Sequence, residues 1–207
     1  MLDGTSGSTV SGLTVTGNGR GIDLAGSNGN LLVGNVASES TQDGIRLGAS
    51  SSNTISGNTV SKDVFGVGIA DGSNDNIVSG NTVSKSLYFG VAVFCGSDGN
   101  TVSGNSVVNT TTTTGPLDGH GIIVRSGSDA TQVLGNGANL NAADGIHVDL
   151  GGGCQNPSDN VLPTGTVISG NTANLNLDLG SSRRTRATAA GTSPRTNGNA
   201  LQTSWAC

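Results

Sequence analysis

The chain has 207 residues, of which only 33% are apolar and 2% aromatic, a composition that starves a compact globular core but not one made of small side chains stacked in columns. Its formal net charge of −5, with no basic aromatic patch, excludes a nucleic-acid partner. The longest apolar run, around residues 87–95, is too short to span a membrane.

Read in chain order, one unit recurs. It begins as GSTVSGLTV (7–15) and returns as SNGNLLVGNVA (27–37), SSNTISGNTVSKD (51–63) and SNDNIVSGNTVSK (73–85). Further copies are SDGNTVSGNSVV (97–108), SDATQVLGNGA (128–138) and TGTVISGNTA (164–173). The copies align on Gly12, Gly34, Gly57, Gly80, Gly104, Gly135 and Gly170. Two residues before each glycine stands an apolar column: Val10, Leu32, Ile55, Val78, Val102, Val133 and Ile168. Three residues after it stands another: Val15, Ala37, Val60, Val83, Val107, Ala138 and Ala173.

Between the copies lies a second strand signal: GIDL (21–24), GIRL (44–47), GVGI (66–69), GVAV (90–93), GIIV (121–124) and GIHV (145–148). Period-two alternation of β-branched residues predicts strands with one buried face. A period of roughly 23 residues predicts a solenoid, because one such unit cannot bury its own apolar face and stacked units can. Asn35, Asn58, Asn81, Asn105, Asn136 and Asn171 fall in one column, and Asn30, Asn53, Asn76 and Asn100, followed by Thr131, in another. Stacked amides at the turns can form ladders along the axis.

The pattern G-I-x-L…S-x-N-T-I-S-G-N-T-V resembles the repeat of right-handed parallel β-helix proteins, the pectate-lyase-like carbohydrate enzymes and the NosD-like periplasmic proteins. The resemblance covers residues 4–178. It implies an all-β, single-domain right-handed parallel β-helix of about seven coils over residues 1–178, with little or no helix, followed by an irregular basic tail over 179–207. It also implies a secreted or periplasmic bacterial protein that engages polysaccharide. The chain carries no signal peptide, so Met1 reads as an internal start or a boundary. A monomer is expected. The tail carries Arg183, Arg184, Arg186 and Arg195 and no acidic residue. Cys95 sits at a corner position equivalent to Ala49 and Ser126 and reads as a buried free thiol. A Cys154–Cys207 disulfide pinning the tail stays open for a secreted protein.

Two insertions break the spacing, near VNTTTTTGPLD (108–118) and LGGGCQNPSDNVLPT (150–164). They bracket the GIIV and GIHV strands and are expected to form two walls of a groove. Both histidines of the chain lie on these coils. Alternation points Ile123, Arg125, His147 and Asp149 outward, and His120 and Asp144 occupy equivalent places just before the strand glycines. His120, Arg125 and His147 are therefore the candidate catalytic residues, with Asp144 and Asp149 as candidate substrate-binding residues. Imidazole and carboxylate suit general acid–base work, and an arginine fork suits a sugar carboxylate. The competing reading is a decorated surface, in which Asp-Gly is a turn signal and Arg125–Asp149 an exposed ion pair worth little.

Specific β-helix signatures mostly fail. Gly119-His120-Gly121 is similar to the Gly-His-Gly of polygalacturonase-like glycosidases, but Tyr88-Phe89-Gly90 stands where paired aspartates belong. The Asp-Pro-His-Asp signature of alginate epimerases is absent. NosD-like proteins are linked to copper, yet Met1 is the only methionine and two histidines make a poor copper set, so no metal ligand and no cofactor is assigned. The reading is lyase or epimerase chemistry on an acidic glycan. The alternatives are a non-catalytic structural or adhesive solenoid and an ice-binding face, the latter weakened because Val36 and Gly137 interrupt the column of Thr14, Thr59, Thr82 and Thr172.

Overall fold

The computed structural model describes residues 1–111 and 119–176, together with the backbone of residues 185–186 and 202–203. Each repeat contributes one short strand to each of three sheets. A long sheet takes Leu2–Asp3, Ile22–Ala25, Asp43–Gly48, Phe65–Ala70, Phe89–Val93, His120–Arg125 and Ile146–Asp149. A second sheet takes Thr9–Ser11, Leu31–Val33, Thr54–Ser56, Ile77–Ser79, Thr101–Ser103, Gln132–Leu134 and Val167–Ser169. A third sheet takes Thr14–Thr16, Val36–Ser38, Thr59–Ser61, Thr82–Ser84, Ser106–Val108 and Gly137–Asn139. Every pairing among these strands is parallel and joins equivalent positions of successive repeats, such as Val67 with Val91 and Ile122 with Ile146. This is the right-handed parallel β-helix expected from the repeat. Among the described residues the only helical element is the 3₁₀ turn Pro157–Asp159.

The core is the set of columns read from the sequence. Ile55, Val78 and Val102 line one inner wall, Val60, Val83 and Val107 the next, and Ile45, Val67, Val91 and Ile122 the third, all at 0% exposure. The corners are amide ladders. Asn58 accepts hydrogen bonds from the backbone N–H and the Nδ2 of Asn35, both at 2.9 Å. Its own Nδ2 donates to Leu32 O at 3.0 Å and to Asn81 Oδ1 at 3.0 Å. Backbone groups that a tight corner would strand are thereby paired inside the stack.

A third polar column, not visible as one residue type, holds Ser40, Asp63, Ser86, Thr110, Asn141 and Asn176. It is hydrogen-bonded in two stretches: Ser40 N donates to Asp63 Oδ1 at 2.7 Å, and Thr110 N donates to Asn141 Oδ1 at 3.2 Å while Asn141 N donates to Asn176 Oδ1 at 2.8 Å. It sits just before the long-sheet strands and explains their leading glycines. A Cβ on Gly121 would lie 2.6 Å from Gly145 O and 2.6 Å from Asn141 Nδ2. At this corner the chain passes too close to its neighbours for any side chain.

The cysteine expectation is corrected. Cys95 is not a free thiol, and Cys154 is bonded to it rather than to Cys207, which lies outside the described residues. Cys95 does occupy the corner shared with Ala49 and Ser126, all three with positive φ (56°, 50° and 54°). The 150–164 insertion lies along this corner. Gly152 N donates to Ser126 Oγ at 3.2 Å, and Gly127 N donates to Val161 O at 2.7 Å. The insertion thus reaches back two coils to Cys95 and rims one side of the long sheet. Residues 112–118 of the other insertion lie outside the described residues, as does the tail apart from its two short strands. Of these, Gln202–Thr203 pairs in parallel with His147–Val148.

Candidate functional site

The outer face of the long sheet changes character along the axis. In the second and third coils it carries Arg20, Asp23, Asp43 and Arg46, tied by Arg20 Nη1–Asp23 Oδ2 at 3.1 Å, Arg20 Nε–Asp43 Oδ2 at 3.4 Å and an Arg46–Asp71 pair. Burial pushes the Asp43 carboxyl above the usual aspartate range, against the pull of Arg46 and Arg20. The middle coils carry no charge on this face. Phe65, Phe89, Ala92 and Ile123 form an apolar cluster there with Tyr88 and Phe94. The next two coils carry both histidines.

The register brings the five sequence-derived candidates together. Ile123 pairs with His147 and Arg125 with Asp149, so each outward residue stacks on its equivalent one coil away. Asp144 lies at the centre. Its backbone N–H donates to His120 Nδ1 at 3.2 Å, and its Oδ2 is 2.9 Å from His147 Nδ1 and 3.5 Å from His120 Nδ1. His147 Nε2 lies 3.6 Å from Asp149 Oδ2, and Arg125 Nη2 donates to that oxygen at 3.3 Å. One chain of contacts thus runs Arg125–Asp149–His147–Asp144–His120.

The cluster points outward from the sheet yet is buried: His120 is 3% exposed and the residues Asp144, His147 and Asp149 are 6–8% exposed. The view of Arg125–Asp149 as an exposed ion pair is therefore corrected. Its side chains are 13% and 8% exposed, and its separation is 3.1 Å between Arg125 Nε and Asp149 Oδ1. Those two atoms lie close but poorly aligned, and among the described residues neither makes a hydrogen bond; His120 Nε2 is likewise without a partner there.

The two imidazoles are driven apart electrostatically. Burial and the neighbouring His147 charge lower the His120 pKa to about 4. Burial would lower that of His147 as well, but hydrogen bonds to Asp144 and Asp149 outweigh it and push the value up to about 9. Near neutral pH, His147 is an imidazolium between two carboxylates and His120 is neutral. With His120 Nδ1 accepting from Asp144 N–H, its proton sits on Nε2. With the proton on Nδ1 instead, directed at Asp144 Oδ2 3.5 Å away, the bond from the Asp144 N–H would be given up and the Nε2 lone pair would be free as a base.

His120, Asp144 and His147 place one donor atom each within 4.8 Å of the others, which is the spacing of a metal site. Their orientation does not fit copper. The two rings are nearly parallel, 14° apart with centroids at 4.2 Å, so their in-plane lone pairs run side by side instead of converging on one ion. Among the described residues no soft ligand is at hand either: Met1 is 79% exposed at the start of the chain, and Cys95 and Cys154 are joined to each other.

Stacking extends beyond the histidines. Phe65 and Phe89 have centroids 5.7 Å apart, and Phe89 and His120 stack at 6.2 Å and 15°. The Arg125 guanidinium lies 5.9 Å from the Phe89 centroid. Sequence reasoning assigned Phe89 no part in the site, although its place one coil before His120 was legible from the repeat.

No helix among the described residues is long and apolar enough to cross a membrane. No curated protein matches the sequence. Among solved structures, the A-module of mannuronan C-5 epimerase AlgE4 from Azotobacter vinelandii is similar at a TM-score of 0.64 and 14% identity, over 81% of this chain and 46% of that one. An alginate lyase from Paenibacillus sp. str. FPU-7 is similar at 0.60 and 16% identity, over 79% of this chain and 58% of that one. The periplasmic alginate epimerase AlgG is similar at 0.62 and 21% identity, over 83% and 42%. At these identities the likeness shows the fold, and the chain spans about half the length of these proteins. The model of the family described as periplasmic copper-binding protein (NosD) matches residues 1–121, stopping short of Asp144, His147 and Asp149, and by that match over more than half its length the chain belongs to the NosD family.

Proposed function

We propose that this chain is a periplasmic or secreted β-helix protein that engages acidic polysaccharide along the long sheet and acts on it by lyase or epimerase chemistry. The observation that carries the reading is the single connected cluster of His120, Arg125, Asp144, His147 and Asp149, whose surroundings favour a neutral His120 beside a charged His147. Pairs of groups whose environments separate their pKa values mark acid and base roles. The solved structures with this fold include proteins titled as epimerases and lyases of alginate and as a pectate lyase, and those substrates are uronate polymers. The Cys95–Cys154 disulfide fits an oxidising compartment.

In this reading the Arg125 fork takes the uronate carboxylate, which acidifies the proton on the adjacent ring carbon. His120, in its Nδ1–H form, accepts that proton at Nε2. For a lyase, the electron pair left behind forms the ring double bond as the glycosidic C–O bond breaks, and the His147 imidazolium protonates the departing oxygen. For an epimerase, the bond stays intact and a proton returns to the opposite face. Asp144 and Asp149 set the two imidazoles, and Asp149 Oδ1 is the carboxylate atom left to meet a sugar hydroxyl.

The test is turnover on alginate, pectate and neutral glycans, read as unsaturated product, new reducing ends and inverted uronate. Activity that His120→Ala and Arg125→Ala abolish supports the reading. No turnover by folded protein on any of these sinks it. That outcome would favour the second reading, a non-catalytic structural or adhesive solenoid, which the near-complete burial of the cluster supports.

A further inference from the structure

The five polar residues of the cluster are not held by one another alone. His120 has one ring nitrogen bound to a backbone N–H and the other unpartnered among the described residues, so hydrogen bonding fixes it at a single point, and the His147 ring covers only one of its faces, at 4.2 Å. Arg125 reaches Asp149 through one aligned hydrogen bond at 3.3 Å, with its Nε unmatched. Both leave rotational freedom that a packed surface has to remove. Phe89 faces both of them. It lies one coil earlier in the same outward column as His120, with Phe89 and His120 paired in register. Its ring stacks on the imidazole at 15°, and the guanidinium stands 5.9 Å from its centroid.

Phe89 is itself immobilised. It is 8% exposed, its other face meets Phe65 at 5.7 Å, and it packs in the apolar cluster with Ala92 and Ile123. A ring is better suited to this than an aliphatic side chain. Its flat face keeps a parallel imidazole from turning, and its quadrupole attracts the guanidinium.

We propose that Phe89 is the positioning residue of this site, fixing the separation between the His120 imidazole and the Arg125 guanidinium. The inference rests on the proposed function for its catalytic meaning, but its geometry can be tested without turnover. Phe89 touches no reacting atom in this scheme. It acts by holding the group that moves the proton at a set distance from the group that holds the carboxylate, where displacement by about 1 Å costs on the order of 100-fold in rate.

The experiment compares Phe89→Met, which keeps apolar bulk but removes the ring, with Phe89→Tyr, which keeps the ring. Imidazole titration of the full chain by NMR comes first, with His120→Gln assigning the two histidines. Phe89→Met is expected to move the His120 midpoint upward from about 4 toward the ordinary 6.5, as water reaches the loosened ring, and Phe89→Tyr to restore the parent value. On any glycan the parent turns over, Phe89→Met is expected to lower kcat at least ~10-fold and to raise KM, with Phe89→Tyr close to parent. An unchanged His120 titration in folded Phe89→Met, with kinetics equally unchanged or with no glycan turned over, overturns the inference and leaves Phe89 as plain packing. A silent parent whose His120 midpoint still shifts in Phe89→Met defeats the catalytic reading while Phe89 remains the residue that sets the imidazole.

Discussion

The second and third sheets and the long sheet share one interior and differ in everything outside it. No strand residue of the second or third sheet is charged, and their outward positions are mostly Thr, Ser and Val. The long sheet presents Arg20, Asp23, Asp43 and Arg46 at one end of its outer face and His120, Arg125, Asp144, His147 and Asp149 at the other. The inner positions of all three sheets are held to small apolar residues because each side chain must fit its equivalent one coil away, at the spacing of roughly 4.8 Å. Outer positions escape that constraint. What sets the long sheet apart is its rim: the disulfide-bonded insertion lies along its edge, and the outward residues beside it are buried. A repeat thus supplies a uniform scaffold, and chemistry collects where the repeat is interrupted.

The comparison breaks first if the ladders are not what holds the plain sheets together. Asn81→Ala removes bonds from Asn81 Nδ2 to Ile55 O and Asn105 Oδ1, both at 2.9 Å, and strands the Asn58 N–H that Asn81 Oδ1 accepts at 2.8 Å. Several buried groups left unpaired at about 1–3 kcal/mol each predict a loss of roughly 3–5 kcal/mol in urea unfolding. A loss under 1 kcal/mol would show that stacking of the apolar columns suffices.

Asp63→Asn tests the third corner column, with the opposite sign. Asp63 is 2% exposed, its Oδ2 has no partner, and burial pushes its pKa up to about 6 from 3.8. Because the folded value is the higher one, its favourable contribution is present below pH 3.8 and is lost as pH rises through about 6. An amide there supplies the donor that Asn141 and Asn176 supply in equivalent places. The substitution is expected to raise stability at pH 7.5 by on the order of 3 kcal/mol and to flatten the decline between pH 4 and 6. Equal stability of the two proteins at pH 7.5 would contradict this.

On the outer face, His147 gives a window at higher pH. Its pKa is raised from 6.5 to about 9, so the stability it contributes is full below 6.5 and is lost as pH rises through about 9. The melting temperature of the parent should fall across pH 7–9.5, and that of His147→Gln should fall less. Parallel profiles would mean the two carboxylates do not hold the imidazolium. The smallest expected effect lies at a plain corner. Lys62–Glu39 is an ion pair at 2.9 Å with side chains 56% and 51% exposed, and Lys62→Met is expected to change stability by less than about 0.5 kcal/mol.

The stacked columns of Ile, Val and Asn were legible because stacking imposes identity on equivalent positions. The same register also placed His120, Arg125, Asp144, His147 and Asp149 near one another before any coordinates. The third polar column escaped because Ser40, Asp63, Ser86 and Thr110 share a slot without sharing a residue type. The Cys95–Cys154 bond escaped because Cys154 sits in an insertion, where the repeat gives no register.

The amino-acid sequence by itself determined the stacked parallel coil, its inner walls and which residues face outward, since period-two alternation and a fixed repeat are local properties of the chain; its right hand was implied by the resemblance of the repeat to known β-helices. Only the tertiary structure decided that the outward cluster is buried, that His147 is charged while His120 is neutral, and that Phe89 lies against both His120 and Arg125. Burial, charge state and ring stacking depend on the full set of neighbours around each group, and those neighbours come from different coils and from a loop that crosses two of them.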